Sequence, residues 1–307
     1  MVGMLSNILE NDKKKIQIVF FSGTGGTARV TSCMENTFKA KGFEVLKVPL
    51  DMQEAGYQER PCIDDSVGLL VLVYAVYALD APVPVYEWVG GINETDGLPA
   101  AVISVSGGGE MWPNTACRVG CIWLLERKGC NVFYERMMVM PSNVLIETKE
   151  QLAAQLLNVL PAKSEHCVDE ILAGIIRRKK TPVTQKLMAS FSKLERKETH
   201  KIARDFNILD GCTNCGLCVD RCPRKNIEIK DCGPAFGDRC VACLRCIYGC
   251  PAKAICFRHL KMIPLKNGFN LDEFEKRMKS TELLPIGKVK AGILFTGLKK
   301  YLEDMRF

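Results

Sequence analysis

Long apolar runs are missing from this sequence. The longest, Val67 to Leu79, is too short to span a bilayer and is stopped by Asp80 and Pro82. The sequence therefore predicts no membrane span. A secretory leader pattern is also missing: the Lys13-Lys14-Lys15 cluster follows the mildly apolar first residues instead of preceding them. The expectation is a cytoplasmic protein. Histidine is scarce, with only His166, His200 and His259 in 307 residues, and no partner motif surrounds any of them; none is given a role. Extreme charge is absent as well. The formal balance is +7 with 25 % charged and 47 % hydrophobic residues, the profile of a globular chain with a mixed solvated surface. The basic run Arg177-Arg178-Lys179-Lys180 reads as a solvated helix end, so no nucleic-acid partner is expected. A basic surface favours acidic partners.

What the chain has in excess is cysteine. There are 16, and ten of them lie between Cys212 and Cys256. Without a leader, such clustering points to metal and not to disulfides. A repeat organises it. CTNCGLCVDRCPRKNIEI begins at Cys212 and CVACLRCIYGCPAKAICF begins at Cys240, 28 positions later, each with the spacing C-x2-C-x2-C-x3-C-P. Zinc ribbons need two C-x2-C pairs separated by a longer loop, so this density suits iron–sulfur chemistry better. Cys232 and Cys256 flank the second unit and read as ordinary thiols. Cys117 and Cys121 share a helix face and read as core.

The N-terminal half alternates strands and helices. Strands are predicted over Lys15–Phe21, Phe43–Pro49, Val67–Tyr74, Pro99–Ser106 and Asn131–Val139, and helices over Thr27–Lys41 and Thr115–Lys128, closed by Gly42 and Gly129. The alternation predicts an α/β doubly wound, five-stranded parallel sheet. Residues 148–207 carry no strand signal. Thr148-Lys149-Glu150-Gln151 matches a capping box, and Pro161 and Pro182 are expected to divide the rest into helices. The tail is expected to form two helices, with Asn270 and Glu273 as a cap and its partner. The expected organisation is 1–160 as the sheet domain, 161–207 as a helical connector, 208–258 as a small α+β cysteine domain and 259–307 as a helical tail.

The loop FFSGTGGTARV, after the first strand, places backbone amides at a helix start, where phosphate binds. A triphosphate loop is excluded because no lysine lies between Ser22 and Ala28. A dinucleotide fingerprint is a closer rival: Gly23, Gly25 and Ala28 fit it, with Asp51 past the second strand as a ribose-binding acid. The hydroxyls of Ser22, Thr24 and Thr27 favour a terminal monophosphate, a dianion that needs many donors.

SGTGGT resembles the flavodoxin phosphate loop, with Gly26 where asparagine or lysine is common. The cysteine repeat resembles a two-cluster bacterial ferredoxin domain. The whole chain resembles flavodoxin–ferredoxin fusion proteins of anaerobic bacteria and archaea. The resemblance implies FMN held by Ser22, Gly23, Thr24, Gly25, Gly26 and Thr27. It implies that Ala75, Val76, Tyr77 and Ala78, together with Ser106, Gly107, Gly108, Gly109 and Trp112, surround the isoalloxazine. It further implies two 4Fe–4S clusters, one on Cys212, Cys215, Cys218 and Cys250, the other on Cys240, Cys243, Cys246 and Cys222. The implied function is low-potential electron transfer that couples one- and two-electron redox partners, with acidic ferredoxin-like proteins among those partners. A flavin-dependent reductase of a small molecule, using the clusters as electron input, is the alternative.

Overall fold

A computed structural model describes residues 14–178, 184, 193, 196, 198–231, 233–278, 282–289 and 296–304. The readings that involve Lys13, Lys179, Lys180, Pro182 and Cys232 lie outside the described residues.

Five strands form the N-terminal sheet: β1 (Lys15–Phe21), β2 (Glu44–Pro49), β3 (Val67–Ala75), β4 (Pro99–Ser106) and β5 (Asn131–Val139). They pair in parallel in the order β2-β1-β3-β4-β5. This is the doubly wound flavodoxin-like order. Strands β1, β3, β4 and β5 are buried on both faces along their near-continuous apolar runs, whereas the edge strand β2 is buried only at Val48 and Pro49. Helices α1 (Gly26–Ala40) and α4 (Glu150–Leu172) cover one face. There Val30, Met34 and Phe38 meet Leu160, Cys167, Val168 and Ile171 over Ile16, Ile18, Val71 and Val73. Helices α2 (Val83–Gly91) and α3 (Val119–Arg127) cover the other. Trp88, Ile122 and Leu125 pack there on Val19, Phe21, Leu70 and Leu72. Successive strand residues thus feed opposite cores, following the period of two along a strand.

The helix expectations change at four points. The predicted Thr115–Lys128 helix divides into a 3-10 turn, Asn114–Arg118, followed by α3. Helix α2 was not expected at all: only nine residues long, it begins right after Pro82, and its apolar composition carries no helical stripe. Pro161 does not break the chain. It lies inside the 23-residue α4, so position 160/161 falls within one continuous helix. The packed face of α4 outweighs the cost of one lost backbone bond. Thr148 does not cap α4; its hydroxyl accepts the Ser142 N–H at 2.9 Å.

The cysteine-rich segment forms two antiparallel strand pairs, β6 (Phe206–Ile208) with β9 (Ile255–Phe257) and β7 (Ile227–Lys230) with β8 (Gly233–Phe236). The short helical turns α5 (Leu217–Asp220) and α6 (Arg245–Tyr248) carry the third cysteine of each repeat, Cys218 and Cys246. Phe206 stacks against Phe236 and Phe257 at 4.7 and 4.9 Å between ring centroids, which gives this small segment an aromatic core.

Both tail helices are present, α7 (Leu271–Met278) and α8 (Thr296–Glu303). Asn270 caps α7 as expected, its Oδ1 accepting the N–H groups of Asp272 and Glu273 at 3.1 and 3.2 Å. Leu271 enters the core beneath α1, and Leu298, Tyr301 and Leu302 bury against Val139, Leu152 and Leu156.

Candidate functional site

The loop from Ser22 to Gly25 joins β1 to α1 at the carboxyl end of the sheet, beside β3. Doubly wound sheets bind ligands at this switch point. Gly25 supplies a left-handed residue, φ 93°, that turns the chain into α1. Ser22 and Thr27 are buried, and Ser22 Oγ accepts the Ala28 N–H at 3.2 Å. Thr24 Oγ1 accepts a hydrogen bond from Asn143 Nδ2 at 2.8 Å, which leaves its own proton available to donate. Asn143, from the loop after β5, was not singled out in the sequence; no local motif marks it.

Arg245 reaches this loop from the cysteine segment. Its Nε donates to the Gly23 carbonyl at 2.7 Å and a terminal nitrogen to the Ser22 carbonyl at 2.6 Å. Its other terminal nitrogen pairs with the buried Asp51 carboxylate. A trans peptide points its N–H opposite to its C=O. Arg245 therefore turns the amides of Gly23 and Thr24 away from itself, on the side where an anion can meet them with the first-turn amides of α1. The residues present fit a terminal phosphate. Asp51, the acid a dinucleotide ribose would need, is engaged by Arg245 and by the Gln53 N–H at 2.9 Å.

The loop after β3 brings Tyr77 to the same place. Its ring meets Phe21 edge-on at 6.2 Å. The residue is partly exposed, yet its hydroxyl is buried and has no hydrogen-bond partner among the described residues. Burial pushes this phenol well above its ordinary pKa, and the neighbouring Cys243 adds to the rise. A methyl group on Gly23 would collide with that hydroxyl and sit 3.1 Å from the Cβ and carbonyl oxygen of Cys243. Ala75 and Val76 complete the turn, with the Val76 N–H bonded to Val105 O, and Ala78 takes a left-handed φ of 47°. Tyr77 and Ala78 also line a cavity of about 270 Å³ with Ala81, Val83, Arg196 and Val241.

The loop after β4 carries the remaining residues of the predicted ring set. Gly107 packs on Ser142, where an added Cβ would come 2.7 Å from the serine Cβ. Gly109, at φ 85°, lies against the backbone of Gly297 in α8. Ser106 Oγ accepts the Gly108 N–H at 3.0 Å. Trp112, in the same loop, is 61 % exposed. Glu110 turns inward to Arg118, which also binds Glu135 at 2.9 Å and Ser104 at 3.2 Å.

The eight repeat cysteines line two concave spaces. Cys212, Cys215, Cys218 and Cys250 line one of about 350 Å³, beside Ile229 and Pro234. Cys222, Cys240, Cys243 and Cys246 line the other, of about 370 Å³, beside Phe206 and Phe236. Each space takes three cysteines from one repeat and the fourth from the other. Among the described residues, no three or more His, Cys, Asp or Glu side chains gather as a site for a single metal ion. All described cysteines are free thiols.

The repeats share backbone as well as sequence. Asn214 and Ala242 have φ 52° and 54°, Gly216 and Leu244 have 78° and 60°, and Lys225 and Lys253 have 47° and 49°. Non-glycine residues adopt this region at a cost of about 1–2 kcal/mol each, so its repetition marks a required loop shape. The loops aim amides at sulfur. Asn226 N–H meets Cys222 Sγ and Ala254 N–H meets Cys250 Sγ, each at 3.3 Å. Burial pushes the Cys240 thiol up to about 12 and that of Cys243 up to about 11. Cys256 stands apart, its thiol 3.7 Å from Asn207 O. Cys121 belongs to the core, with its sulfur 2.9 Å from the Tyr74 hydroxyl.

The sequence matches no protein-family model and no curated protein. Among solved structures, the N-terminal half is similar to flavodoxins and flavoproteins. A flavodoxin from the domain Archaea shares 12 % identity over 51 % of this chain and 98 % of its own, with a TM-score of 0.34. Oxidised flavodoxin 1 from Bacillus cereus shares 14 % over 54 % of this chain and 99 % of its own, at 0.37. An azoreductase from Bacillus anthracis shares 11 % over 52 % and 98 %, at 0.35.

Proposed function

We propose that this chain is an electron-transfer protein in which the sheet domain holds FMN and the cysteine segment holds two 4Fe–4S clusters. The observation that carries the reading is the crossed lining of the two cysteine spaces, three ligands from one repeat and one from the other, with amides aimed at sulfur. That is the ligation pattern of two-cluster ferredoxins. FMN is supported by the hydroxyl and amide donors that Ser22, Thr24, Thr27 and Arg245 arrange at the head of α1.

When bound, the flavin supplies one- and two-electron chemistry and the clusters supply one-electron chemistry. The chain's own residues set the positions. Ser22–Thr27 hold the phosphate. Ala75–Ala78 and Ser106–Gly109 flank the ring, and Trp112, exposed on the loop after β4, offers it a stacking face. Val241 and Cys243 belong to the apolar core under β1 and β3, so the second cysteine quartet sits at the flavin side. The first quartet includes the exposed Cys215 and faces outward, which makes it the port for a protein partner. Held by these residues, the clusters and the flavin would supply one-electron and paired-electron chemistry side by side, with the Cys222, Cys240, Cys243 and Cys246 quartet between the outer quartet and the sheet. Cluster tethering beside the flavin raises the effective concentration of one redox centre at the other.

Anaerobic purification followed by iron, sulfide and flavin analysis tests the reading. It expects about eight irons and one FMN per chain. A colourless protein, or one whose metal is zinc, would overturn it. Saturable turnover of a specific small molecule would instead identify a reductase.

A further inference from the structure

We infer that Arg245 couples the two cofactor sites: anchored between ligands of the inner cluster, it aims the amides that bind the FMN phosphate. The inference rests on the functional reading above and deepens it.

Arg245 lies between Cys243 and Cys246, and Leu244 before it is held left-handed at φ 60°. The path of the cysteine loop therefore fixes where the arginine side chain starts. The guanidinium spans the Ser22 and Gly23 carbonyls and the Asp51 carboxylate at once, with the Arg221 carbonyl at 3.3 Å. Its charge is already paired with the buried Asp51, and it faces the carbonyl side of the loop. It is thus a positioning residue and not a phosphate ligand. Only the rigid fork of arginine offers donors in these several directions; a lysine ammonium cannot span them. The same junction carries the Tyr77 hydroxyl, packed on Gly23 beside Cys243 and buried with no hydrogen-bond partner among the described residues.

The consequence is linkage. A cluster that orders residues 240–250 orders Arg245, and through it the phosphate loop. By reciprocity, FMN must then stabilise the inner cluster by the same factor.

The experiment titrates FMN, and riboflavin as a probe without phosphate, into anaerobically reconstituted full-length protein stripped of flavin. R245M is expected to weaken FMN by about tenfold or more, while riboflavin affinity stays unchanged. R245K, which keeps the charge but loses the fork, is expected to be as weak as R245M. Unchanged FMN affinity in R245M would overturn the coupling. So would recovery in R245K, since that marks simple charge attraction. Where a variant loses iron, the wild-type chain decides: chelating its iron must weaken FMN by a comparable factor, and unaltered affinity would overturn the inference. If the unmodified, iron-loaded wild type binds no FMN at all, it is the functional reading that fails, a result separable from every outcome above.

Discussion

Single residues at the loop carry sharply different jobs. Thr24 accepts from Asn143 and keeps its proton for a ligand. Thr24→Val preserves shape and removes that donor, so FMN binding should weaken by roughly 1.5–3 kcal/mol, the worth of a hydrogen bond to a charged group. Flavin fluorescence titration reads this directly, and equal affinity would remove Thr24 from the site. Cys215 lines the outer space and is exposed. Cys215→Ala is expected to lose the outer cluster, about half of the bound iron, while FMN stays bound because Arg245 belongs to the inner loop. An iron count that does not fall would displace Cys215 from the ligand set. The grouping of the repeat cysteines into two spaces was readable because it follows from their spacing along the chain. Asn143 and Arg245 were not readable: each acts across more than a hundred residues, and nothing in their local sequence distinguishes them from a surface asparagine and arginine.

At the scale of elements, the tail is fastened to the sheet domain at defined points. Arg29 in α1 pairs with Asp272 and with Glu275 of α7, at 2.6 Å in each case. Asn270 caps the helix that presents these acids. Asn270→Ala should destabilise α7 by about 1 kcal/mol, seen as faster amide exchange confined to that helix. Helix α8 is held by Lys163, whose ammonium donates to the Tyr301 and Asp304 carbonyls at 2.9 and 2.7 Å. Burial, aided by the nearby Arg136 charge, lowers this lysine to about 8. An unfolded lysine titrates near ~10.4, so between about 8 and 10 the unfolded chain binds more protons. Lys163 therefore makes the fold more stable as pH rises through that window. Lys163→Met should flatten this rise in denaturant-unfolding curves collected from pH 7 to 10; an unchanged slope would show that the group titrates normally. Strand limits were legible because buried parallel strands are written as continuous apolar runs. Helix α2 escaped because nine mostly apolar residues with Pro84 near the start and two glycines at the end carry little helical signal, and the continuity of α4 through Pro161 because packing of its face overrides a local breaker.

Over the whole molecule, the cysteine segment is seated on the carboxyl end of the sheet. Met52 N–H bonds Pro223 O at 2.9 Å, Gln53 reaches Val219 O at 3.1 Å, and Arg245 enters the phosphate loop. Iron removal by an anaerobic chelator should consequently lower the thermal midpoint of the sheet domain as well as unfolding the cysteine segment. Calorimetry would separate this from two independent transitions, the result expected if the modules do not touch. By itself the sequence determined the strands of the parallel sheet, the glycine-rich turn after β1 and the doubled cysteine spacing, because these are written in periodicity and spacing over short stretches. Only the tertiary structure decided which quartet faces the sheet, which residues aim the loop's amides, and that Trp112 stands in solvent while Tyr77 is drawn inward. Those outcomes depend on side chains far apart in the chain meeting across an interface, and local patterns hold no information about such meetings.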